Sequence, residues 1–95
     1  MPPLQIDFED GFDGDTVVVR VEGRELWRQD GVTTNVAISL AAIAHVEVPE
    51  SAHVEVEIPT RSLSTTTRIE TPYLEVEVVD DGITVTASLD VPPHL

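Results

Sequence analysis

The stretch "IDFEDGFDGDTVVV", from Ile6 to Val19, packs five acids into nine residues: Asp7, Glu9, Asp10, Asp13 and Asp15. Carboxylates gathered this way can do one kind of chemistry directly, the coordination of a hard cation. Ca²⁺ takes six to eight oxygen ligands, and β-sandwich modules that use it collect Asp from several loops at one end. The chain offers Asp7, Asp10, Asp13 and Asp15 from one loop, Asp80 and Asp81 from another and Asp30 from a third. The run does not follow the helix-loop-helix calcium spacing. Gly11 and Gly14 beside these acids also read as turn chemistry, in which short carboxylates cap backbone amides. A solvated turn is therefore the first expectation for the stretch, and a Ca²⁺ site at Asp10, Asp13, Asp15, Asp80 and Asp81 is the alternative.

Histidine is the other metal ligand present, at His45, His53 and His94. Imidazole suits transition metals, but His45 and His53 alternate with Val and Glu and read as surface partners of Glu47 and Glu55. Nucleophilic catalysis finds no support. Ser39, Ser51, Ser62, Ser64 and Ser88 occupy no strand-turn-helix elbow. Cysteine and lysine are absent, which removes thiolate and Schiff-base chemistry. Phosphate-binding glycine loops are also missing. The expectation is a protein without catalytic residues.

The more informative carboxylates are Glu47, Glu55, Glu57, Glu75 and Glu77, each flanked by Val or Ile. Such alternation points successive side chains to opposite faces of a pleated strand. The aliphatic set faces a core and the acids face water. If their strands share one sheet, these five acids form a docking surface for a partner with a basic surface. The global charge agrees. There are 18 acids against 5 bases, for a net charge of −13, and every base is Arg. This balance disfavours nucleic acid and anionic membranes, both of which need phosphate neutralisation, and favours a cationic protein partner. The Arg-bearing segment "PTRSLSTTTR" (Pro59 to Arg68) is the most polar stretch and a candidate binding loop.

The elements that must carry these residues are strands. Val supplies 15 residues and Thr 10, both β-branched and suited to a pleated surface. Period-2 alternation and turn residues at short intervals mark nine segments: 4–9, 16–22, 25–29, 32–39, 43–48, 53–59, 65–70, 73–79 and 83–90. The expected fold is all-β, a single-domain antiparallel two-sheet sandwich over residues 1–95, of eight or nine strands, immunoglobulin-like or jelly-roll-like.

Three hairpins are expected. One turns at Glu22-Gly23 and pairs Arg20 with Glu25 and Val18 with Trp27. One turns at Val79 to Gly82 and pairs Val78 with Ile83, Val76 with Val85 and Tyr73 with Ser88. One turns at Pro49 to Ser51, pairs Val46 with Val54, and sets Glu47 beside His53 and His45 beside Glu55. "RQDGV" reads as a further turn. "NVAISLAAIAH" reads as a buried strand, a bend near Leu40 to Ala42 and a second strand, with a short helix capped by Asn35 as the alternative. Segments 4–9 and 65–70 are expected at sheet edges, where a homodimer or a partner strand could pair. The start of the sequence lacks a basic and then apolar leader pattern, and its longest apolar run is too short for a bilayer. A cytoplasmic protein with no cofactor is the expectation.

Overall fold

In a computed structural model that describes residues 3–49, 51–69, 71–80 and 82–89, the chain forms eight strands in two packed sheets. They are β1 (Pro3–Phe8), β2 (Asp15–Val21), β3 (Arg24–Val32), β4 (Ala42–Glu47), β5 (His53–Ile58), β6 (Leu63–Arg68), β7 (Tyr73–Val79) and β8 (Gly82–Ser88). A single 3-10 turn at Pro59–Arg61 joins β5 to β6. The first sheet has the order β4-β1-β7-β8 and the second β3-β2-β5-β6. Every pairing is antiparallel except β1 with β7. The two-sheet sandwich read from the alternation is the fold. Among the described residues no helix is long and apolar enough to cross a membrane.

Pleat parity builds the core. Leu4, Ile6 and Phe8 of β1, Leu74 and Val76 of β7 and Ala44 of β4 face Val17 and Val19 of β2 and Val54, Val56 and Ile58 of β5, all within one buried cluster. The largest fully buried side chains include Phe8, Leu4, Ile6, Ile58 and Leu74, and Phe8 is the largest of them. Burying such a side chain contributes about 1.5–3 kcal/mol each before entropy is counted, so this layer holds the sheets together.

The β7–β8 hairpin has the expected register throughout, from Tyr73 opposite Ser88 to Val78 opposite Ile83. Its loop is tighter than expected, because Val79 already pairs with Gly82. The β2–β3 hairpin keeps Arg20 opposite Glu25, but Trp27 lies opposite Val19 rather than Val18. A bulge between Val19 and Arg20 inserts Leu26 as an extra residue and moves Trp27 to the inner side. There its ring stacks on Phe8, with centroids 5.2 Å apart.

Four further expectations fail. "RQDGV" is no turn between strands: β3 runs through it to Val32, and the Asp30-Gly31 pair forms a second bulge, with Gly31 at φ 66°. Residues 32–39 do not form a strand. The Thr33 and Thr34 hydroxyls are drawn to the acidic loop instead, accepting from the backbone N–H of Gly14 (2.9 Å) and Phe12 (3.1 Å). Asn35 to Leu40 closes into a tight loop, neither strand nor helix, in which the Asn35 side chain accepts from the Ala37 amide at 3.0 Å. Val36 is 88 % exposed there, against its expected burial.

The third failure is the hairpin at Pro49 to Ser51. β4 and β5 lie in different sheets, and the segment between them crosses the sandwich with Val48 and Ala52 buried. Val46 and Val54 both point inward but from opposite layers, and His45 does not meet Glu55. The fourth concerns β1, which is a central strand between β4 and β7; the edges are β3, β4, β6 and β8, so only the expectation for 65–70 holds.

Candidate protein-docking face

Each sheet turns one face to water, and the two faces differ in charge. All five Arg of the chain belong to the second sheet or its connection: Arg20 on β2, Arg24 and Arg28 on β3, Arg68 on β6 and Arg61 in the turn after β5. Arg20 lies across from Glu55 and bridges both Glu55 and Glu57. The hydrogen bond to Glu57 and the charges of both acids outweigh desolvation and hold the Arg20 guanidinium more firmly protonated than usual. Arg28 bridges Glu25 at 3.2 Å. Val18 is fully buried and lies opposite Arg28 on one neighbouring strand and Glu57 on the other.

The first sheet carries no Arg at all. Its outer face is ordered in rows across the strands. One row runs Ile43, Asp7, Glu75, Thr86, and the next His45, Gln5, Tyr73, Ser88. Glu47 stands beyond His45, opposite Pro3, and Glu77 stands beyond Glu75, opposite Thr84. Rows of this kind are about 7 Å apart, two residues along the strand. Asp7 is 1 % exposed although it points to the outer side, and it accepts a hydrogen bond from the Gln5 side-chain amide at 2.8 Å. Glu9, just past the end of β1, is also buried. Asp7 sits directly beside Glu75, an adjacency of like charge that disfavours a sheet.

The five glutamates therefore do not share a face. Glu47, Glu75 and Glu77 are on the first sheet. Glu55 and Glu57 are on the opposite side of the sandwich, already engaged by Arg20. The sheet assignment that would have united them followed from the hairpin at Pro49, which does not form.

The acidic opening stretch is resolved around Asp15. Its carboxylate accepts from Arg61 Nε at 3.0 Å, from an Arg61 terminal nitrogen at 2.9 Å, from the Thr60 hydroxyl at 2.7 Å and from the Asp13 amide at 2.9 Å. Arg61 also donates to the Gly11 carbonyl at 2.7 Å. Burial raises the Asp15 pKa, but the hydrogen bonds from Arg61, Asp13 and Thr60 and the Arg61 charge outweigh it, leaving the carboxyl below its ordinary value. Asp10, Asp13 and Asp80 are exposed, and Asp81 lies outside the described residues. Among the described residues no three acids or histidines are grouped to hold a metal ion.

Gly11 explains why the loop can close. It has φ 94°, and a Cβ there would fall 2.2 Å from the Val78 carbonyl oxygen. Only glycine lets the loop lie against β7 at that distance. Arg61 was legible in the sequence only as part of the polar stretch Pro59 to Arg68, of which Leu63–Arg68 is strand β6 and not a loop; here it staples the turn before β6 to the acidic loop.

The histidines are also separated. His45 is exposed on the first sheet, while His53 on the second accompanies Glu22, whose carboxylate accepts the His53 backbone amide at 2.7 Å. That hydrogen bond lowers the Glu22 pKa from its ordinary value. His94 lies outside the described residues. A shallow pocket of about 130 Å³ opens on the first sheet between Pro3, Leu4, Gln5, His45, Pro72 and Tyr73; nothing in the sequence pattern marks it, because its walls come from three strands and a turn.

No known protein family, no curated protein and no solved structure matches the chain.

Proposed function

We propose that this protein is a non-catalytic interaction module, an adaptor or accessory subunit that captures a basic protein partner on the outer face of the β4-β1-β7-β8 sheet. The observation that supports this reading is the partition of charge. All the arginines are on the second sheet or its connection, where Arg20 and Arg28 pair with glutamates, while Glu47, Glu75 and Glu77 share a sheet without one. These three carboxylates would attract a cationic partner on binding. Such a field also steers a basic partner and speeds association, more so at low salt. The surface is narrower than the sequence alone implied: Glu55 and Glu57 are not part of it. A cytoplasmic setting fits a chain without cysteine. Acidic self-repulsion favours a hetero-partner over a homodimer at a sheet edge.

The test is affinity capture from host lysate at moderate and high salt. Wild-type protein should retain a basic protein that elutes as salt rises. Reversing Glu75 and Glu77 to Arg should abolish retention with the fold intact by circular dichroism. Unchanged retention by the reversed variant would refute the docking face.

A further inference from the structure

We infer that the pocket between Gln5, His45 and Tyr73 is the specificity point of this face and receives one arginine side chain of the basic partner. The inference rests on the docking reading above and adds the group recognised and the place where it is held.

The pocket lies within the acidic face but is not itself built of acids. Its walls are Pro3, Leu4, Gln5, His45, Pro72 and Tyr73. Tyr73 is half-buried and stands on the outer side of β7, two residues before Glu75. Pro3 and Pro72 are exposed and add flat, apolar surface beside the ring. A guanidinium is planar and weakly hydrated, and it stacks on aromatic faces while its edge donates hydrogen bonds. Gln5 lines the pocket and uses its side-chain nitrogen to reach Asp7, which leaves its carbonyl oxygen as an acceptor. The Tyr73 hydroxyl can also accept as well as donate.

Carboxylates flank this apolar slot on two sides. Glu75 occupies the adjoining row, and Glu47 lies two residues beyond His45 on β4. Rows are about 7 Å apart, within the Debye length of about 8 Å at physiological salt. A cation in the slot is thus attracted from both sides, and the first sheet presents no arginine to compete for it. At about 130 Å³ the space suits one side-chain head, not a folded element or a lipid tail. An ammonium would enjoy the same field but would stack less well and would satisfy fewer acceptors in one plane.

The test is a titration of the isotope-labelled protein with two short peptides of equal length and charge, one presenting arginines and one lysines, followed by amide and Tyr73 ring chemical shifts. The expected result is saturable shifts centred on Gln5, His45 and Tyr73, with the arginine peptide at least about threefold tighter, a gap near 0.65 kcal/mol by RT ln 3. Tyr73→Ala should cost about tenfold for the arginine peptide and remove the preference over lysine, consistent with a partly desolvated cation–π contact. Tyr73→Phe should keep most of the affinity, which separates ring stacking from loss of fold. If the peptides bind, Glu75→Gln/Glu77→Gln weakens them and Tyr73→Ala does not, the pocket inference is overturned while the acidic face stands. If neither peptide shifts the spectrum at low salt, the face and the pocket fall together.

Discussion

Replacing Arg61 with alanine should be among the most damaging surface substitutions in this protein. The change deletes the two hydrogen bonds to Asp15 and the one to the Gly11 carbonyl. It leaves Asp15, whose side chain is 5 % exposed, with the Thr60 hydroxyl and the Asp13 amide alone. Removing one partner of a fully buried ion pair costs about 3–5 kcal/mol. Arg61 is 32 % exposed, so water can follow the truncated side chain and the cost must be discounted toward the exposed-pair range. A loss of about 2 kcal/mol results. For a domain of this size that lowers Tm by roughly 8–16 °C.

The pH dependence follows from the depressed Asp15 pKa. A carboxyl lowered on folding stabilises the protein above its unfolded pKa and loses that contribution as pH falls through the folded value. The gap between wild type and Arg61→Ala is therefore widest near neutral pH and closes in acid. Thermal melts by circular dichroism at neutral and acidic pH give both quantities. A Tm within about 2 °C of wild type at neutral pH, less than half a kcal/mol, would refute the clamp, as would a gap that widens in acid.

Other consequences are equally direct. Phe8→Ala removes the fully buried ring that stacks on Trp27; it should cost about 3–5 kcal/mol, read by urea unfolding, and shift the Trp27 emission. Gly11→Ala forces a Cβ against the Val78 carbonyl at a positive φ and should destabilise by about 1–3 kcal/mol or more, where a neutral effect would mean the loop stands off from β7. Millimolar Ca²⁺ should leave Tm unchanged, because Asp15 is committed to Arg61; a ligand at a hundred times its Kd would add about 2.7 kcal/mol and be plainly visible in the melt.

How far the sequence could be read depends on what alternation encodes. Parity along a strand states which residues face in, and nearly every inward Val and Ile was legible: Val17, Val19, Val54, Val56, Leu74 and Val76 are all core. Parity does not state which strand lies alongside. Val46 and Val54 satisfy it equally as hairpin partners or as residues facing each other across the sandwich, and the second is what occurs. A short loop favours the hairpin, but the burial of Val48 and Ala52 in the crossing segment and the six-residue pairing of β4 with β1 favour separation. That single choice moved Glu55 and Glu57 to the other face.

Bulges were invisible for a related reason. An inserted residue changes parity partway along a strand, so the expected pairing of Trp27 with Val18 moves to Val19 once Leu26 is taken out of register. The hydroxyls of Thr33 and Thr34 were counted as strand formers, yet they serve the acidic loop. The Asp15–Arg61 clamp joins residues 46 positions apart, and no local pattern records such a contact. The β7–β8 hairpin was legible in full because its pairing is local and its turn is marked by Asp80 and Gly82.

The claim that matters most is that position, not total charge, makes the first sheet a docking face. Two double variants test it, Glu75→Gln/Glu77→Gln on the first sheet and Glu55→Gln/Glu57→Gln on the second. Each raises the net charge of −13 by the same two units. Partner capture from host lysate, measured side by side at one salt concentration, should be lost with the first variant and kept with the second. Equal loss from both, or loss only from the second, would contradict it.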